Sequence, residues 1–344
     1  MKTIDISKSK RTSVKFIQIE DYRKVENKGW SYSSVYSLEE VRDMYILLSS
    51  IKYNNLREFT INEVIPKVQS RGKKWSERRV LEILNALVNF KWIEKLYHTS
   101  AYKVKETGPV FDKTSFGSEL SEKDMTIFKK IFFSYSRFIE FISLYGCNTH
   151  SDLANSTLRD SVALFSVRGN HKFTDTFFTK IENNTELRCI NFTDDYGKKN
   201  TPCMMFWDVF ISWAKSLQLI ESFNSKMFDY SLSDGRSFSC SYFLSSDAIK
   251  PPSLPELLTM YFPGEKMVDT NQIVWKICTL YRKSIKEAKE YVISQYKEHK
   301  RGIGIVRSSE IFINKSDKRN DSDIGYPLYN RSYISHLIIN KYKI

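Results

Sequence analysis

Trp75–Lys105, WSERRVLEILNALVNFKWIEKLYHTSAYKVK, changes its hydrophobic period partway along. After Ser76, the apolar residues Val80, Ile83, Leu84, Leu87 and Val88 recur at helical spacing and leave Arg78, Glu82, Asn85 and Asn89 on the other face. Ser76 is a residue type that caps a helix by accepting from its first free amides. Trp92–Tyr97 and Ala101–Lys105 then read as two short extended runs around His98, Thr99 and Ser100. The stretch therefore predicts one helix running into an antiparallel hairpin.

Two further helices are expected before it. Ser37 with Glu40 is a capping-box pair, and Val41, Met44, Tyr45, Leu48 and Ile51 follow at helical spacing. Thr60 with Glu63 repeats the pair and opens a shorter helix through Ile61, Val64 and Val68, which must accommodate Pro66. Between this helix and the next lies a basic turn, Gln69–Trp75, holding Arg71, Gly72, Lys73 and Lys74.

Three helices followed by a hairpin resemble a winged helix-turn-helix domain, here over residues 37–107. The resemblance implies that the third helix enters the major groove of DNA and the hairpin lies along the backbone. Lys91 stands where that family often has glycine, so Asn89 is the candidate for a left-handed residue that stops the helix. The basic run Lys67, Arg71, Lys73, Lys74, Arg78 and Arg79, opposed only by Glu77, would face phosphates. Arg78, Asn85 and Asn89 would point to base edges, where Arg suits guanine and Asn adenine. Glu82 is the dissonant residue: it repels phosphate, although it can accept from cytosine.

Downstream, Gly108–Pro109 begins a polar linker, 108–120. Residues 121–249 are expected to hold a long buried helix through Phe128, Ile131, Phe132, Tyr135, Phe138, Ile139 and Ile142, then a second winged-helix-like domain. Val162–Val167 and Leu187–Phe192 read equally as strands or short helices. Thr201–Pro202 opens a helix whose exit, Ser216–Phe223, parallels Asn89–Leu96 position by position. A hairpin around a three-residue loop, Asp234–Arg236, would set Tyr230 opposite Cys240. This copy exposes Asp208, Ser212 and Lys215, a surface suited to packing or protein contacts. After a linker at 250–255, residues 256–314 carry a possible third copy, with Ile303–Val306 and Ile311–Ile313 as its hairpin. Its basic stretch includes Lys283, Lys286 and Lys289 as candidate DNA contacts, interleaved with Glu287 and Glu290 at helix-pairing distances. Residues 1–36 read as a basic arm (Lys8, Lys10, Arg11, Lys15), and 315–344 as a tail that docks back on the fold.

The fold class expected is mainly α with short β-hairpins, an α+β chain of tandem winged-helix domains. The net charge of +13 over 344 residues favours an acidic partner. The abundance of Lys, Ile, Asn, Tyr and Phe fits an AT-rich coding sequence, which raises Lys for no ligand, so where charge clusters carries more than its total. Five cysteines (Cys147, Cys189, Cys203, Cys240, Cys278) with no CxxC pair point to a reducing, cytoplasmic setting. The first residues lack the apolar core of a signal peptide. The most apolar window, 128–145, holds Lys129, Lys130, Arg137 and Glu140, so no membrane span is expected. Cys147 and His150 are a lone half-site, short of the four ligands zinc needs, and no phosphate loop or nucleophile motif is present. No metal, cofactor or enzymatic activity is therefore expected. The functional expectation is a non-enzymatic, double-stranded DNA-binding protein, in architecture resembling plasmid replication initiators, bacterial DNA-binding regulators and mobile-element or defence accessory proteins. The alternative is an adaptor or scaffold subunit, with a protein partner or a homodimer, that uses winged helices for protein contacts.

Overall fold

The computed structural model describes residues 2–5, 15–18, 35–51, 58–135, 138, 141–142, 162–167, 186–191, 201–224, 239–244, 250–308 and 325–339. In chain order these begin with strands β1 (Lys2–Asp5) and β2 (Lys15–Gln18) and helices α1 (Leu38–Ile51), α2 (Ile61–Ser70) and α3 (Glu77–Asn89). Strands β3 (Ile93–Leu96) and β4 (Ala101–Val104), a 3-10 turn at Lys113–Ser115 and helix α4 (Glu122–Ser134) follow. Next come β5 (Val162–Val167), β6 (Glu186–Asn191), α5 (Thr201–Ser216), β7 (Ile220–Asn224) and β8 (Ser239–Phe243). The last group is α6 (Leu254–Tyr261), β9 (Met267–Asp269), α7 (Thr270–Tyr281), α8 (Ile285–Glu298), β10 (Ile303–Ser308), β11 (Leu328–Tyr329) and β12 (Ser332–Ile339). The class is α+β. The chain divides into two compact units, one of Asp21–Phe141 with Asn200–Gln218 and one of Met1–Glu20, Ile142–Lys199 and Leu219–Ile344.

The first unit contains the expected order of three helices and a hairpin. Ser37 Oγ accepts from the Glu40 amide at 3.1 Å, but the Glu40 carboxylate does not close the capping box, because Arg79 takes it. In the second box Glu63 accepts from the Thr60 amide at 2.9 Å, and α2 runs through Pro66 while burying Val64 and Val68. Ser76 accepts from the Arg79 amide at 3.2 Å, and α3 buries Val80, Ile83, Leu84, Ala86 and Leu87. Lys91 itself, not Asn89, takes the left-handed conformation (φ 61°). Its amide bonds Val88 O at 2.9 Å and the Trp92 amide bonds Leu87 O at 3.1 Å, the paired bonds of a Schellman end. Lysine is tolerated there at some conformational cost because the following Trp92 is buried. The hairpin pairs Ile93 with Val104 and Leu96 with Ala101. Phe59 adds a third row, exchanging both backbone bonds with Tyr102 at 2.8 and 2.9 Å.

Residues 108–120, expected as a linker, are folded against α1. Phe111 joins Tyr45, Phe90 and Phe128 around Trp92, with ring centroids 5.0–5.6 Å from the indole for Phe90, Tyr45, Phe111 and Phe128. The long helix expected from 121 ends at Ser134, because Tyr135 is extended (φ −88°, ψ 113°). Phe132, Phe138 and Phe141 pack on Phe210 of α5 at 5.3–5.5 Å, and the Trp213 indole donates to Val35 O at 2.7 Å. Helix α5 exits as α3 does, with Gln218, the counterpart of Lys91, also left-handed (φ 55°).

The residues expected as a second winged-helix-like domain are divided between the two units. Helix α5 belongs to the first unit, whereas β7 and β8 belong to the second. There they complete a six-stranded sheet in the order β1-β2-β6-β5-β8-β7. Strands β2, β6 and β5 run parallel, and β5, β8 and β7 alternate. Two segments of the expected N-terminal arm, β1 and β2, are strands of this sheet. Cys240 faces Phe223, not Tyr230, and the Asp234–Arg236 loop lies outside the described residues.

The third copy starts inside the expected 250–255 linker, since Ser253 caps α6. It also extends past residue 314. β10 pairs with β12 from Ile303↔Ile339 to Ser308↔Tyr333, so the expected tail supplies the partner strand; Ile311–Ile313 lie outside the described residues. On the other side of β12 run β9 (Val268↔Leu337) and β11 (Leu328↔Tyr333). Asn330 and Arg331, both at positive φ, make the two-residue turn from β11 into β12. Residues 38–104 and 254–339 therefore share one topology, in which the last strand is central and the short early segment, Phe59 or β9, pairs on its far side.

Candidate nucleic-acid interface

The expected contacts in the first unit gather at the amino end of α3 and the turn before it. Arg78, Glu82, Asn85 and Asn89 form one stripe, four, three and four residues apart. Asn85 is exposed and Asn89 half-buried. Arg78 is 84% exposed, with Nε 3.0 Å from Glu82 Oε1. Glu82 also lies 3.7 Å from Arg79 Nη1, so the one acid on this face sits between two guanidiniums. Arg79 is turned inward and donates twice to Glu40 on α1, with Nε 2.8 Å from Oε2. It is a brace between α1 and α3.

In the turn, Arg71 and Lys74 are exposed and Lys67 is half-buried on the last turn of α2. Lys73 has its Nζ 3.0 Å from Asp43 Oδ2 and 5.5 Å from the Phe116 ring centroid, with 28% of its side chain exposed. The Arg71 guanidinium lies 5.6 Å from the same ring. Sequence reasoning missed what stands beneath this turn. Arg42 and Asp43 on α1 are fully buried and paired at 3.0 Å, and Arg42 also bonds Asp124 (3.2 Å), Ser118 O (2.6 Å) and Glu119 O (2.9 Å). Asp43 accepts from the Gly117 amide at 3.0 Å, and Gly117 is left-handed (φ 79°), where a Cβ is unfavourable. Two carboxylates and two cations thus balance in a buried clamp, as desolvated charges require. The one signal in the sequence was an Arg-Asp pair inside a helix that is otherwise apolar from Val41 to Leu48.

The candidates on α8 are placed differently. Lys286 is exposed and Lys289 half-buried, beside exposed Glu287 and Glu290. Lys283 lies in the turn between α7 and α8, and its carbonyl accepts from the hydroxyl of buried Tyr242 on β8 at 2.9 Å. Neighbouring Arg282 is buried and left-handed (φ 51°). Within this module the Lys276 amine is buried 5.5 Å from the Tyr261 ring, and desolvation lowers its pKa to about 8. Burial pushes the Cys278 thiol up to about 12. An open cleft of about 680 Å³ is lined by Ser253, Pro255 and residues 297–303; its cations Lys297, Lys300 and Arg301 sit where they offset the carboxyl end of α8.

Among the described residues, no helix is long and apolar enough to cross a membrane, and no group of three or more His, Cys, Asp or Glu could hold a metal. Compared with known protein families, characterised proteins and solved structures, the chain matches none.

Proposed function

We propose that this is a non-enzymatic double-stranded DNA-binding protein in which residues 37–105 act as a winged helix and α3 is the helix that enters the major groove. The observation that carries this reading is the stripe of Arg78, Asn85 and Asn89 on an outward face next to the exposed cations Arg71 and Lys74. Phosphate contacts would come from Lys67, Arg71 and Lys74, while Lys73 and Arg79 act from within the fold. Glu82 is screened by its two arginines, which weakens the case against α3 that the bare sequence makes. The cytoplasm is the setting this reading fits, as do the unpaired cysteine spacings.

Duplex DNA of mixed sequence, titrated by fluorescence anisotropy, should bind with an affinity that falls steeply with salt. Arg71→Ala and Lys74→Ala should each flatten the log–log slope by about 1, whereas Arg78→Ala should also reduce discrimination between sequences by about 1–3 kcal/mol. No binding at low salt by the intact chain refutes the reading.

A second use of the same topology, as a protein-contact module, is favoured for residues 254–339. The turn between the second and third helices there is tied to the core, its Lys283 carbonyl accepting from the hydroxyl of buried Tyr242.

A further inference from the structure

The basic turn before α3 is not held by its own backbone alone. A segment that follows the hairpin, Asp112–Ser118, reaches it from outside the three-helix order. Asp112 caps the 3-10 turn by accepting from the Thr114 amide at 2.9 Å, and Gly117 is tied to buried Asp43. Between these two fixed points Phe116 presents its ring to both Arg71 and Lys73, at 5.6 and 5.5 Å, within the range in which a ring quadrupole attracts a cation. Lys73 is further held by Asp43 and by the Trp75 ring at 5.7 Å, which leaves Arg71 as the exposed cation that depends on Phe116 for its orientation.

We infer that Phe116 is a positioning residue of the nucleic-acid surface: its ring holds Arg71, and with it the Arg71–Lys74 turn, in the arrangement that receives a DNA phosphate. This rests on the DNA-binding reading above. An arginine already stacked loses less side-chain entropy when phosphate arrives than one free in water. The ring touches no DNA itself. It acts through Arg71.

The test uses the full chain and a labelled duplex of about 20 bp, titrated between about 50 and 200 mM salt. Phe116→Leu keeps an apolar side chain but removes the π face; Phe116→Tyr keeps the face. The leucine variant should bind about three- to five-fold more weakly, the tyrosine variant should bind like the parent, and both should melt as the parent does. Arg71→Ala should then cost less in the Phe116→Leu background than in the parent, because the orientation it removes is already lost. Failure of the parent to bind duplex at low salt overturns the DNA-binding reading itself. If the parent binds, then equal affinities for the leucine and tyrosine variants, or an Arg71→Ala loss that is the same in both backgrounds, overturns the positioning role alone. Should the leucine variant misfold, the tyrosine variant and the cycle repeated with Phe116→Met decide in the same way.

Discussion

Between α2 and α3 the chain takes six residues, 71–76, with Gly72 left-handed and three cations among them. Between α7 and α8 it takes three, 282–284, with a buried arginine as the left-handed residue. The two modules otherwise share their order of helices and the pairing of their strands. Their second helices differ accordingly: α2 buries only Val64 and Val68, whereas α7 is buried at every described position except Gln272. Topology thus leaves open which surface is available. The packing at the two turns differs: α1 and Phe116 lie against one, and Tyr242 bonds the backbone of the other.

The largest effect expected from breaking this difference lies in the buried clamp of the first module. Asp43→Ala removes a partner of Arg42, Lys73 and the Gly117 amide at once and leaves Asp124 as the one carboxylate beside a fully buried guanidinium. A loss of about 3–5 kcal/mol is expected. Urea unfolding followed by tryptophan fluorescence reads it well, since among the described residues Trp75, Trp92, Trp207 and Trp213 lie in that unit and Trp275 in the other. A loss below about 1 kcal/mol would mean the cluster is solvated.

In the second module Lys276 is a buried charge beside an aromatic ring, and here removal should stabilise. The folded amine titrates near 8, against 10.5 ordinarily. Below 8 both folded and unfolded chains carry the proton, so the burial penalty is present in full. Between 8 and 10.5 the unfolded chain binds more protons, and stability from this group rises with pH. Lys276→Met should therefore gain on the order of 2 kcal/mol at neutral pH, an advantage that shrinks as pH climbs through that window. Cys278 works the other way: its thiol, held protonated up to about 12, costs stability as pH rises past 9.0. The difference between variant and parent, measured by chemical denaturation at several pH values, cancels that contribution. A pH-independent difference would show the amine to be solvated.

A smaller change tests the bond at that turn. Tyr242→Phe leaves the Lys283 carbonyl without its 2.9 Å donor and should cost about 1 kcal/mol, with duplex affinity unchanged. A fall in DNA affinity would place the turn between α7 and α8 at the interface after all.

The legible part of this molecule was the part whose information is local. Thr60 with Glu63, Ser76, and the apolar spacing from Val80 to Leu87 each act within a turn or two, and the elements they predict at 37–105 are present. Helix exits at Lys91 and Gln218 matched for the same reason. Long-range pairing was not legible. Alternation in Ile303–Val306 fits any apolar strand, and nothing nearby says that Ser332–Ile339 is its partner. The same holds for Ser239–Phe243, which pairs with β5 as well as with β7. At the candidate interface, a list of cations could be read from composition, but not which of them are spent inside. Lys73 and Arg79 look like Lys74 and Arg78 in sequence and differ only by the presence of Asp43 and Glu40 across the fold.

Glu82 gives the smallest expected effect on folding and the most direct test of the contrast between α3 and α8. Its pair with the exposed Arg78 is a four-residue step on a helix, and Arg79 keeps Glu40 when Glu82 is changed. Glu82→Gln should therefore alter stability by less than about 0.5 kcal/mol. If α3 faces phosphate, removing that negative charge releases Arg78 and raises duplex affinity, most at low salt. Lys286→Gln on the exposed start of α8 should leave affinity unchanged, because the exposed acids Glu287 and Glu290 offset its charge there. Were Glu82→Gln instead to lower affinity for some sequences and not others, the carboxylate would be accepting from a base, as it can from cytosine. No change from Glu82→Gln together with a loss from Lys286→Gln would move the interface to α8 and reverse the roles assigned to the two modules.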